Sequence, residues 1–155
     1  MISKDLKEIQ LKDLLFVVLY TLLLSIGGAM LLGLIDFLFI KFLSTQLGSL
    51  FFWLLAFLTG SLVRKQYTTP HILYSIITGL GLLLGAVIIE ALPIMLIYAQ
   101  ATEFASIIFD VRIYFQWMIY YYNPLNLILY FNFNYLITIL MIAVGTYLGV
   151  KRTYS

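Results

Sequence analysis

The chain has 155 residues, 63% of them apolar and 10% charged, with a formal net charge of +2 and a mean hydropathy of +1.05. A water-soluble domain is nearer half apolar and a quarter charged, and at this length it could not hide so much hydrocarbon from water. The small net charge argues against a nucleic-acid partner, and the lack of cysteine excludes disulfide and thiolate chemistry.

Residues 1–13, MISKDLKEIQLKD, form a mixed-charge lead-in. Helical spacing puts Ile2, Leu6 and Ile9 on one face and pairs Glu8 with Lys12. The apolar run that follows is too long for the core of a cleavable signal peptide.

A helix needs about 20 apolar residues to cross about 30 Å of hydrocarbon. Four runs qualify: 14–35, 47–63, 70–96 and 125–150. Helix is the state expected of each, because backbone groups in lipid must pair within their own segment. The fold class read from the sequence is therefore an all-α integral membrane protein with four transmembrane helices in one domain. Thr69 is expected to cap the third helix and Pro70 to occupy its first position.

The basic residues set the orientation. Lys4, Lys7 and Lys12 precede the first run, Arg64 and Lys65 follow the second, and Lys151 and Arg152 follow the fourth. Lys41 and Arg112 fall on the other side. The positive-inside rule assigns the larger group, and with it both termini, to the cytoplasmic face of a cell membrane.

Segment 97–124 contains Glu103, Asp110, Arg112 and Gln116, which argue against a fifth span. It reads as an outer interfacial segment. Tyr114, Trp117, Tyr120, Tyr121 and Tyr122 suit the level between headgroup and acyl chain, and Asn123-Pro124 turns the chain into the fourth run.

Two further patterns concern packing. A shift of 54 residues lays the first run on the third, so that Gly27 meets Gly81 and Asp36 meets Glu90. The chain then reads as two tandem hairpins in one orientation, as in parallel transporter repeats. Small residues one turn apart let helices approach closely: Ser25, Ala29 and Gly33; Gly81 and Gly85; Gly145 and Gly149. The two glycine pairs are expected to face each other across the second hairpin.

The candidate site is a layer of polar groups near the outer boundary. Glu90 is 20 residues beyond Pro70, about 30 Å up the third helix, and Asp36 reaches a similar level. Lys41, Asn126, Asn132 and Asn134 join them, with Glu103, Asp110 and Arg112 above. Converging, they would form a polar pocket for an ion or a headgroup under an aromatic lid. The simpler expectation pairs Asp36 and Glu90 with Lys41 and Arg112. Pro93 removes a donor and is expected to bend the third helix. His71 is expected at the inner surface with no ligand role.

The chain carries no dinucleotide, P-loop, zincin or nucleophile-elbow motif, so neither enzyme, cofactor nor metal is expected. Three roles remain. The first is a non-enzymatic subunit or assembly partner of a membrane complex. The second is a homo-oligomeric cation- or proton-coupled transporter or channel, using Asp36 and Glu90 with help from Asn132 and Asn134. The third is a lipid or small-hydrophobe binder covered by residues 113–122.

Overall fold

The computed structural model describes residues 9–130 and 132–154, so the apolar face and the basic residues expected within residues 1–8 lie outside the described residues. Among the described residues the fold is all helical. Helix α1 runs Leu11–Leu43, α2 Gly48–Arg64, α3 Ile72–Thr102, α4 Val111–Tyr122, α5 Pro124–Leu129 and α6 Phe133–Tyr154, with a 3-10 stretch at Ala105–Phe109 before α4. Three of them, α1, α3 and α6, are long and apolar enough to cross a membrane; α2 is apolar but has 17 residues.

Close approaches at small residues fix the helix directions. A Cβ on Gly81 would meet Thr21, one on Gly85 would lie 3.0 Å from the Ser25 carbonyl oxygen, and one on Gly33 would lie 3.0 Å from Leu92. These contacts climb α1 and α3 together, so the two helices run parallel. Gly145 lies against Phe52 and Gly149 against the Ala56 carbonyl, so α2 and α6 also run parallel. Helix α2 opposes α1 and α3: Leu55 packs at Gly28 and Gly85, while Gly48 lies at Asp36 and Glu90. The two glycine pairs therefore do not face each other. One seats α1 on α3 and the other seats α2 on α6.

Helix α3 is central. Its most apolar window is 61% buried, against 22% for each of α1 and α6. The main core gathers Ala29, Phe52, Leu55, Leu82, Ala86, Ile89 and Ile142 from four helices. A second cluster, Val17, Val63, Tyr67 and Tyr74, closes the end where Lys12, Arg64, Lys65, Lys151 and Arg152 collect. There the Tyr67 hydroxyl donates to the Thr153 carbonyl, and the Ser75 and Thr153 hydroxyls share a hydrogen bond of 2.7 Å.

Several boundaries differ from the sequence reading. Helix α1 continues to Leu43, because FLFIKFL stays apolar around Lys41; it stops where Ser44 adopts a left-handed conformation (φ 51°). Residues 23–28, LLSIGG, are wound as π-helix, with Ser25 donating to the Thr21 carbonyl at 2.5 Å. Helix α3 starts at Ile72 with His71 as its cap, Nδ1 accepting from the Leu73 N–H at 3.1 Å, so Thr69 and Pro70 precede the helix. It continues unbroken through Pro93 to Thr102 and takes in residues expected in the outer loop. The fourth run divides instead: α5 ends at Leu129 and α6 begins at Phe133. Asn132 supplies the start of α6, its side chain accepting from the Asn134 N–H and its carbonyl from the Leu136 N–H, both at 3.0 Å.

Candidate functional site

Helix α2 begins well below the ends of its neighbours. Asp36 lies seven residues before the end of α1 and Glu90 twelve before the end of α3, yet both meet the first residue of α2. The loop 44–47 descends from the top of α1 to reach that level. The start of α2, with its unpaired N–H groups, is thereby placed beside two carboxyl groups.

Asp36 caps this helix end from another helix. Its Oδ1 accepts from the Leu47 N–H at 2.7 Å, and the residue is fully buried. Glu90, 6% exposed, accepts at Oε2 from the Gln46 side-chain amide at 3.3 Å. The other two oxygens turn toward one point: a Cβ on Gly48 would lie 3.0 Å from Glu90 Oε1 and 3.3 Å from Asp36 Oδ2. Glycine is what leaves the carboxyl groups room. Asp36 Oδ2 is buried without a hydrogen-bond partner among the described residues.

The electrostatic logic is local. The exposed amides of a helix N-terminus carry roughly half a positive charge, and carboxylates beside it are stabilised. Backbone outside a helix at such a depth is tolerated where protein covers it. A carboxylate offers both the acceptor and the charge, which a hydroxyl cannot. One helix end does not balance two full negative charges, however.

Lys41 is not the partner of Asp36; its ammonium lies 5.9 Å from the centre of the Phe37 ring. Arg112 is exposed in the first turn of α4, where its backbone N–H donates to Asp110 at 3.0 Å. Asn126, Asn132 and Asn134 also stay away from the carboxyl pair: Asn126 donates to the Tyr120 carbonyl, and the other two form the start of α6. Glu103 ends α3 in a left-handed conformation. The broad polar layer thus reduces to Asp36, Glu90, Gln46 and the backbone at Leu47 and Gly48. Gly48 and Gln46 were missed in the sequence. The signal for them was the shortness of the second apolar run between two longer ones.

The aromatic segment binds to the bundle rather than standing above it. The Tyr122 hydroxyl donates to the Leu83 carbonyl at 2.6 Å, tying the end of α4 to the middle of α3. Tyr114 donates to Ile108, and Trp117 stacks on Tyr121 at 5.6 Å. Tyr120 and Tyr121 pack with Tyr135 of α6, which donates to both their carbonyls. Burial, and then the nearby Glu90 carboxyl group, push the Tyr121 and Tyr122 hydroxyls above the ordinary phenol range.

Beneath this segment lies an apolar cavity of about 430 Å³. Ile26 and Met30 of α1, Leu84, Val87 and Ile88 of α3, and Ile108, Phe109, Val111, Tyr114, Phe115 and Met118 line it. Among the described residues no group of three or more His, Cys, Asp or Glu is placed to hold a metal. No protein family matches this chain, and no curated protein and no solved structure does either.

Proposed function

We propose that the protein is a non-enzymatic cell-membrane protein that holds a lipid acyl chain in the cavity between α1, α3 and the segment 108–118. In this reading α2 crosses the membrane with the three longer helices, and both termini are cytoplasmic, in keeping with the basic residues gathered at one end of the bundle. The observation that carries the proposal is the cavity itself. Its volume falls within the range of about 300–1,000 Å³ typical of ligand sites, and its lining is aliphatic and aromatic from three separate elements. Two of those elements are helices long enough to cross a membrane, so the cavity opens where acyl chains are the available occupant.

Leu84→Trp is the test. Leu84 is 40% exposed, so a larger ring fills the cavity without entering the closed core. Native mass spectrometry of the gently extracted protein is expected to show bound lipid in the wild type and several-fold less in the variant. Lipid retained equally by both would overturn the assignment. Tyr120, Tyr121 and Tyr122 do not line this cavity, so the cover expected there shifts to Tyr114 and Phe115.

A second reading rests on the uncovered faces of α1 and α6, which leave most of two long helices open to neighbours. There the protein is a subunit of a membrane complex or a homo-oligomer. The same native mass measurement distinguishes it: co-purifying polypeptides, or multiples of the 17.8 kDa chain, support assembly.

A further inference from the structure

We propose that Asp36 and Glu90 form one proton-binding site, in which a single proton is held between Asp36 Oδ2 and Glu90 Oε1 over the α-carbon of Gly48. The argument begins with the four carboxyl oxygens. Two have donors, from the Leu47 N–H and the Gln46 amide. The other two converge within 3.3 Å of the same point, and Asp36 Oδ2 is unpartnered although Asp36 is fully buried. A buried acceptor with no donor is costly, and two buried carboxylates this close do not readily ionise together. One proton removes both difficulties. It supplies the missing donor and leaves a single negative charge for the start of α2 to stabilise.

A metal cation fits less well. Hard cations take about six or more oxygen ligands, and only two carboxyl oxygens are uncommitted here. The N–H groups at the start of α2 also present positive potential to the same space. A proton needs two oxygens and no shell.

Among the described residues the donors to the pair are the Gln46 amide and the Leu47 N–H, neither of them a charged side chain. Helix α1 offers Lys41, which lies over Phe37. Helix α4 offers the Tyr121 and Tyr122 hydroxyls, the second already donating to Leu83. Helix α6 offers Tyr135, whose hydroxyl donates to the Tyr120 and Tyr121 carbonyls. Helix α2 offers its N-terminus. The site is independent of the lipid cavity, whose lining contains neither carboxyl group.

Infrared spectroscopy of the full chain in phosphatidylcholine vesicles tests this directly. At neutral pH the wild type is expected to show one carboxylic-acid C=O band that shifts in D2O. Asp36→Asn and Glu90→Gln are each expected to shift or abolish it, because either change removes one of the two carboxyl oxygens between which the proton is held. No band in the wild type, or a band left unmoved by one of the two variants, would overturn the shared site. Gly48→Ala provides a check that removes no carboxyl group: its methyl enters the space between the two oxygens, so the band is expected to shift. A folded Gly48→Ala protein with an unmoved band would place the proton elsewhere. A wild type without the band whose carboxylate bands respond to Na+ alone would make this a cation site and the proposal wrong.

Discussion

The two ends of the bundle handle buried polarity in different ways. Toward the basic end the buried polar residues carry hydroxyls: Thr21, Ser25, Thr59, Ser75, Thr78 and Thr153. Most turn back on their surroundings with ordinary bonds, Ser25 to the Thr21 carbonyl, Thr78 to the Tyr74 carbonyl at 2.8 Å, and Ser75 to Thr153. At the other end the buried groups are two acids set against a helix start. A hydroxyl carries no net charge, and among the described residues the buried Thr21 and Thr59 hydroxyl oxygens have no hydrogen-bond partner. An acid has no such latitude. The basic end is therefore held by many small contributions, and the opposite end by one concentrated electrostatic arrangement.

The largest effect is expected where backbone meets backbone, independently of either polar device. A Cβ on Gly60 would run into the Gly149 carbonyl oxygen, with Arg152 Cβ 2.9 Å away. Gly60→Ala forces α2 and α6 apart, and a loss of about 3 kcal/mol is expected in detergent unfolding. A smaller loss than that of Asp36→Ala would mean that the glycine contact is loose and the carboxyl end dominates.

Asp36→Ala comes next. It removes the acceptor of the Leu47 N–H and leaves the start of α2 uncovered within the bundle. About 2 kcal/mol is expected, the cost of leaving a buried donor unsatisfied. Asp36→Asn keeps an acceptor and should recover part of it. Equal losses for the two would indicate that charge matters and the hydrogen bond does not.

The basic end has its own pH test. Burial pushes the Tyr67 hydroxyl above its usual value of 10.0, against the opposing influence of its bond to Thr153 and of Arg64. Folding therefore favours the protonated phenol. Its contribution is intact below pH 10.0 and is lost as pH rises from there toward the folded value, because the unfolded chain releases its proton first. Tyr67→Phe is expected to lower stability at neutral pH by about 1 kcal/mol and to flatten part of the alkaline decline. An unchanged slope would assign that decline to the other buried tyrosines.

Much of this contrast was legible in the sequence. The apolar runs give helices, and the positions of Arg64, Lys65, Lys151 and Arg152 foretell a shared basic end. The 54-residue shift put Asp36 and Glu90 in corresponding places, and they do meet. Their partner was not legible. It is the backbone at the start of α2, and backbone N–H groups leave no trace in residue identity. The depth of that start depends on how far α1 and α3 overshoot it, which is a matter of packing. Asn132 and Asn134 escaped for a related reason: asparagine serves equally well at a ligand site and at a helix start, and the bond from the Asn134 N–H to the Asn132 side chain beside the first turn of α6 assigns them to the latter.

The smallest effect sharpens the comparison most. Thr78 is fully buried, yet its hydroxyl bonds only to the carbonyl one turn back in its own helix. That carbonyl already serves the helix ladder, so removing the hydroxyl strands no other group. Hydrogen bonds between membrane helices average about 0.6 kcal/mol, and a bond within one helix should be worth no more. Thr78→Val keeps the shape and is expected to cost at most about 0.5 kcal/mol in the same unfolding measurement. If it instead matched Asp36→Ala, burial depth alone would set the cost of polarity in this bundle. The distinction between neutral and charged groups would then fail.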